Sequence, residues 1–200
     1  QTILREYYDG GWKFSECQKT SGNVYDRHDR LTYSLVKNYS DSGGTMFTDM
    51  QVVNYLSYDK YSNVLSQTID SYASQTIGTD LIDSKSVVNE YANEVAAARG
   101  NATKTTVNRY TSTTRTDANL IDRNITTTDP NDFDTRGNAL IQNQESWVKD
   151  GADIVKVSTR TIWNSDINNR GDAGKQEVWS YIVDGGVSTL INYQVYTNRV

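Results

Sequence analysis

The stretch Phe133-Asp134-Thr135-Arg136-Gly137-Asn138 recurs along the chain, and this recurrence limits the possible folds more than any other feature. Tyr58-Asp59-Lys60-Tyr61-Ser62-Asn63 and Tyr25-Asp26-Arg27-His28-Asp29-Arg30 keep its order: aromatic, Asp, two variable residues, a turn former, a polar residue. Two looser copies carry insertions, with Tyr91 leading to Arg99-Gly100-Asn101 and Trp163 leading to Arg170-Gly171-Asp172. With the fifth position as anchor, Asp29, Ser62, Gly100, Gly137 and Gly171 stand 33, 38, 37 and 34 residues apart. Other positions keep the same period. Ten residues after each anchor lie Tyr39, Tyr72, Tyr110, Trp147 and Tyr181, all aromatic in a chain that is 10% aromatic. Two residues after lie Leu31, Val64, Ala102, Ala139 and Ala173, all apolar; seven after lie Val36, Ile69, Val107, Gln144 and Val178.

The spacing also says what one repeat is. Asp, Asn and Gly around the anchor supply positive φ and side-chain caps for a tight turn. About twelve residues of β-prone sequence follow, then a second turn, seen at Ser42-Gly43-Gly44, Asp150-Gly151 and Asp184-Gly185-Gly186, and a return strand. The expected fold is therefore all-β, an array of long antiparallel β-hairpins with a repeat of 33–38 residues, ribbon or solenoid-like. A β-propeller blade has similar length, but two long strands per repeat suit a hairpin better than four short ones. The residues two and ten after the anchor share a strand face and the seventh points away. Either both faces are partly covered or a bulge switches parity. Position five, Ser34, Gln67, Thr105, Gln142 and Gln176, is polar in every copy, which suits solvent or a hydrogen-bonded ladder. Ser84–Gly100 dissents: Val88, Tyr91, Ala92, Val95 and Ala96 fall near one helical face, so a short helix competes there with an enlarged hairpin turn. Residues 1–200 read as a single repeat array, with a partial copy over 1–20 and the lead-in of a further copy over 187–200, as a segment that begins and ends inside the array.

Several chemistries find no support. A net charge of −5 argues against a nucleic-acid partner, and no apolar run approaches the roughly 18 residues of a membrane span. Cys17 is alone, so it forms no internal disulfide; it is a small half-buried side chain or an intermolecular bridge. There is one His, the carboxylates are scattered rather than paired, and no phosphate-binding motif occurs, so neither an enzyme nor a cofactor is expected. Asn164, Asp166, Asn168 and Asp172 alternate like calcium-loop ligands, but Asn169 stands where such a loop needs Gly and no Glu closes it. Arg170-Gly171-Asp172 is an integrin-type tripeptide whose Gly is already explained by the turn. Tyr and Trp side chains suit a sugar-binding groove, yet their register with the repeat favours packing between repeats.

Tyr25-Asp26, Tyr58-Asp59 and Phe133-Asp134-Thr135-Arg136-Gly137-Asn138, with aromatic-rich strands on either side, resemble the RHS/YD-repeat family over most of the chain. The resemblance implies a spiralling β-ribbon, in that family often a hollow shell around a toxin, and an extracellular or cell-surface location. The copies here are longer than the family's usual unit, and five are too few to enclose a protein. The expected function is that of a structural repeat segment of a fibre, sheath or shell, whose partners are itself or adjacent repeats. The alternatives are an adhesin stalk or glycan-binding module, or part of an RHS-type toxin-encapsulating shell. A glycan binder should expose an aromatic cluster outside the repeat register, and the sequence displays none.

Overall fold

A computed structural model describes residues 1–197. The strands are β1 (Thr2–Tyr8), β2 (Trp12–Tyr25), β3 (Leu31–Tyr39), β4 (Phe47–Tyr58), β5 (Val64–Tyr72), β6 (Leu81–Glu90), β7 (Lys104–Tyr110), β8 (Leu120–Thr127), β9 (Ile141–Asp150), β10 (Asp153–Ile167), β11 (Ala173–Asp184) and β12 (Val187–Thr197). They form one 12-stranded open antiparallel sheet whose strand order is the sequence order. The chain is thus all-β, an array of hairpins. Each odd strand from β3 onward follows an anchor turn and each even strand returns. The odd strands run 7 to 12 residues rather than about twelve throughout, because the connections at 40–46, 73–80 and 111–119 absorb residues that a tight turn would leave in strands. The lead-in placed at 187–200 is β12 as far as Thr197; residues 198–200, Arg199 among them, lie outside the described residues.

All five anchors adopt positive φ: Asp29 at 59°, Ser62 at 68°, Gly100 at 73°, and Gly137 and Gly171 at 91°. One copy differs from its sequence reading. Trp163 does not lead into an insertion, because β10 continues to Ile167 and a five-residue turn, Asn168–Asp172, follows with Asn168 in the Asp place. The dissenting stretch resolves into strand and helix together. Residues up to Glu90 are claimed by β6, and a short helix α1 (Glu94–Arg99) fills the enlarged turn behind it. The Asn93 side chain accepts the Ala96 N–H at 2.9 Å and Gly100 ends the helix in the left-handed region.

Contacts divide the chain into two compact units. The first comprises residues 1–58, 64–86 and 109–119. Pairing of Leu35 with Val52, Lys37 with Met50, and Met50 with Tyr72 puts these side chains on one face. Met50, Val52 and Tyr72 form its core, with Tyr33, Leu35, Phe47 and Leu81 packed around them. The long connections supply polar closures. Arg115, from the 111–119 connection, pairs with the buried Asp70 carboxylate. The Lys19 ammonium donates to the Gly44 carbonyl at 2.9 Å while lying 4.9 Å from the Tyr39 ring centre.

The second unit comprises residues 59–63, 87–108 and 120–200. Its β9–β10 and β11–β12 connections are two-residue turns, the latter Gly185-Gly186 with both φ positive, the hairpin geometry that matches strand twist. Among the described residues it buries only Ala96, Leu120 and Val178 of its apolar side chains, against seven in the first unit. Register slips by one residue on the return strand beside Tyr39, Trp147 and Tyr181. The shifts that fall where a parity switch is expected, between positions two and seven, lie at Leu31/Tyr33 in β3 and Val64/Ser66 in β5.

Candidate functional site

Four of the five anchor turns share one hydrogen-bond scheme, the exception being Gly100, which ends α1. The first Asp accepts the backbone N–H groups two and four residues on: His28 and Arg30 at Asp26, Tyr61 and Asn63 at Asp59, Arg136 and Asn138 at Asp134, all between 2.7 and 3.1 Å. Asn168 does the same for Arg170 and Asp172. The other carboxylate oxygen accepts from the fifth side chain, Arg30, Asn63 or Asn138. Such donors favour the charged form. The Arg30 side chain, helped by the Arg30 and His28 N–H groups, holds Asp26 down at about 2, and the Asn138 side chain and N–H lower Asp134.

In the second unit consecutive turns interlock. The Asn63 amide donates to the Ala97 carbonyl at 2.6 Å. A Cβ on Gly137 would lie 2.8 Å from the Asn101 side chain, and one on Gly171 would lie 2.8 Å from that of Asn138. Gly at these anchors is thus required twice, by φ and by the neighbouring Asn; Ser62 answers only the first demand, at some strain. Arg136 donates to the Asn168 carbonyl at 2.9 Å and the Ile167 carbonyl at 3.1 Å, tying turn to turn.

Tyr39, Tyr72, Tyr110, Trp147 and Tyr181 occupy β3, β5, β7, β9 and β11 in that order; the first three are buried and the last two half-buried. Position five is neither simply solvated nor a ladder of like residues. Ser34 donates to Asn23, Thr105 to Asn89 and Gln176 to Asn164, each an Asn on the preceding strand. Three of the four calcium candidates are engaged with one another or with the sheet. Asn164 accepts from Gln176 and donates to the Ala139 carbonyl, and Asn168 and Asp172 bond each other inside their turn. Asp166 sits in β10 with φ 54°. No group of three or more His, Cys, Asp or Glu suited to a metal occurs among the described residues. Arg170 and Asp172 of the integrin-type tripeptide pair with each other at 3.3 Å. Cys17 is fully buried and a free thiol, and His28 accepts from Arg27 at an exposed turn. No helix among the described residues is long and apolar enough to cross a membrane.

One constellation escaped the sequence reading. On β10, β11 and β12 the rings of Trp163, Trp179 and Tyr193 follow one another with centres 5.4 and 5.0 Å apart. Trp163 is 50% exposed and Tyr193 48%. Thr161, Trp163, Trp179 and Tyr181 line a shallow cleft of about 180 Å³ beside them. Lys175 pairs with the Glu177 carboxylate at 2.5 Å and the Tyr193 hydroxyl donates to it at 2.8 Å, which together hold Glu177 below the usual carboxylate range. Trp163 and Glu177, and Thr161 and Trp179, are cross-strand pairs around the Asn168–Asp172 turn, so that half was countable once the turn was placed correctly. Tyr193 was not countable, because a bulge at Ile191 shifts it by one residue onto Trp179. No protein-family model matches the chain, and no curated protein shows significant similarity to it.

Proposed function

We propose that this chain is a structural repeat segment of a secreted or cell-surface protein, one that builds a fibre, sheath or shell by continuing its sheet edge to edge. The supporting observation is the strand order. Each hairpin is hydrogen-bonded to the hairpins that precede and follow it in sequence, the arrangement of a quasi-one-dimensional array whose stability is a sum of neighbour interfaces. The resemblance to YD repeats points the same way. The last strand of that order, Val187–Thr197, contains neither a charged residue nor Pro, the devices that ordinarily keep an edge from pairing. Sedimentation velocity over a concentration series is the test. The chain should associate, and Asn192→Lys with Gln194→Lys, which put charge on the edge strand, should reduce that association. A compact monomer at high concentration in both forms would remove the support for the array reading.

A further inference from the structure

The second unit carries a feature that a purely structural array does not need. Trp163, Trp179 and Tyr193 lie outside the recurring aromatic position, so the repeat does not explain them. They are also accessible, because the two-residue connections at 151–152 and 185–186 contain too little chain to fold over this face. We propose that the face formed by Trp163, Trp179, Tyr181 and Tyr193 binds a carbohydrate chain, one sugar ring seated in the cleft lined by Thr161, Trp163, Trp179 and Tyr181 and the next packed against Tyr193.

The chemistry of the face selects this ligand class. The three rings lie against one another across the strands, and the half-exposed Trp163 and Tyr193 at the two ends of the row leave aromatic surface open to the C–H groups of pyranose rings. The cleft of about 180 Å³ accepts one ring rather than a drug-sized molecule. Beside the rings, Thr161 and Glu177 offer a hydroxyl and an acceptor for equatorial hydroxyl groups. The adjacent charges are satisfied within the face: Glu177 by Lys175 at 2.5 Å, and Glu145 by Lys156 at 2.6 Å. A phosphate or an acidic peptide would need a net positive field, and a basic partner an unpaired carboxylate; a neutral polyol needs neither. The Trp179 and Tyr193 rings are within 33° of parallel, while Trp163 is turned 60° from Trp179 and forms the cleft wall.

The experiment titrates the whole chain with cellohexaose, chitohexaose and maltohexaose, reading intrinsic tryptophan fluorescence and saturation-transfer NMR. At least one should bind with a dissociation constant in the roughly millimolar range or tighter. Trp163→Ala, which removes a half-exposed ring, should weaken binding about tenfold, the loss of one aromatic stack. Trp179→Phe should weaken it less, and Trp12→Ala, which removes an exposed tryptophan of β2, should leave it unchanged. No binding by any of the three at about 10 mM, or equal binding by the Trp163 variant, overturns the proposal. So does self-association abolished by Trp163→Ala without saccharide binding, which would assign the face to a second copy. The edge-lysine variants named above change residues on the other side of β12, so failure of the array reading leaves this test intact.

Discussion

The two units use the same hairpin grammar to opposite ends. In the first, connections of seven to nine residues at 40–46, 73–80 and 111–119 reach strand side chains, Gly44 meeting Lys19, Gln75 meeting Lys37 and Arg115 meeting Asp70, and Met50, Val52 and Tyr72 are buried. In the second, two-residue turns leave the aromatic face partly open, with Trp163 and Tyr193 exposed to solvent. The difference teaches that a sheet one layer thick can still own a core, provided its loops supply the missing layer. Where loops are short, cross-strand pairing and interlocked turns must suffice.

Arg115→Ala has the largest expected effect. It leaves Asp70 charged, buried and unpaired, and should destabilise the chain by about 3–5 kcal/mol in urea unfolding. A loss under about 1 kcal/mol, the worth of a surface pair, would mean that the 111–119 connection does not cover the core. Next comes a matched pair of truncations. Tyr72→Ala should cost about 3–5 kcal/mol, as for a packed core aromatic, whereas Trp163→Ala should cost about 1 kcal/mol, the scale of one exposed cross-strand aromatic contact. Equal losses would erase the distinction between a covered and an open face. At the turns, Gly137→Ala imposes a Cβ at φ 91° against Asn101 and should cost about 1–3 kcal/mol. Asp29→Gly, in the first unit, relieves a strained φ and should stabilise by a few tenths up to about 1 kcal/mol, so the two should shift the melting temperature in opposite directions.

The smallest effect is acid sensitivity. The carboxyls of Asp26, Asp59 and Asp134 titrate lower in the fold than in an unfolded chain. Their contribution is therefore complete above the ordinary value of 3.8 and is lost as pH falls, for Asp26 toward about 2. The His28, Tyr61 and Arg136 amides should lose hydrogen-exchange protection across that range. Arg170, bonded to the uncharged Asn168, should keep its protection. Simultaneous loss at all four turns would show that the sheet, not the carboxylates, is failing.

Much of this was legible in the sequence because a turn is a local event. Positive φ at Asp29, Ser62 and the anchor glycines follows from residue chemistry within five positions, and hairpins follow from turns spaced 33–38 residues apart. What failed did so where a local signal was judged without its partners. Trp163 resembles the aromatic of an anchor copy unless Asn168 takes the Asp place, and Ser84–Gly100 has helical periodicity although its first residues pair in β6. By itself, then, the sequence determined the all-β class, the five anchors, their backbone conformation and the alternation of strands and turns, since all of these depend on short-range sterics. Only the tertiary structure decided which side chains meet. A one-residue bulge at Ile191 sets Tyr193 on Trp179, and a long or short connection decides whether an aromatic face becomes a core or an exposed surface; both depend on residues across the sheet.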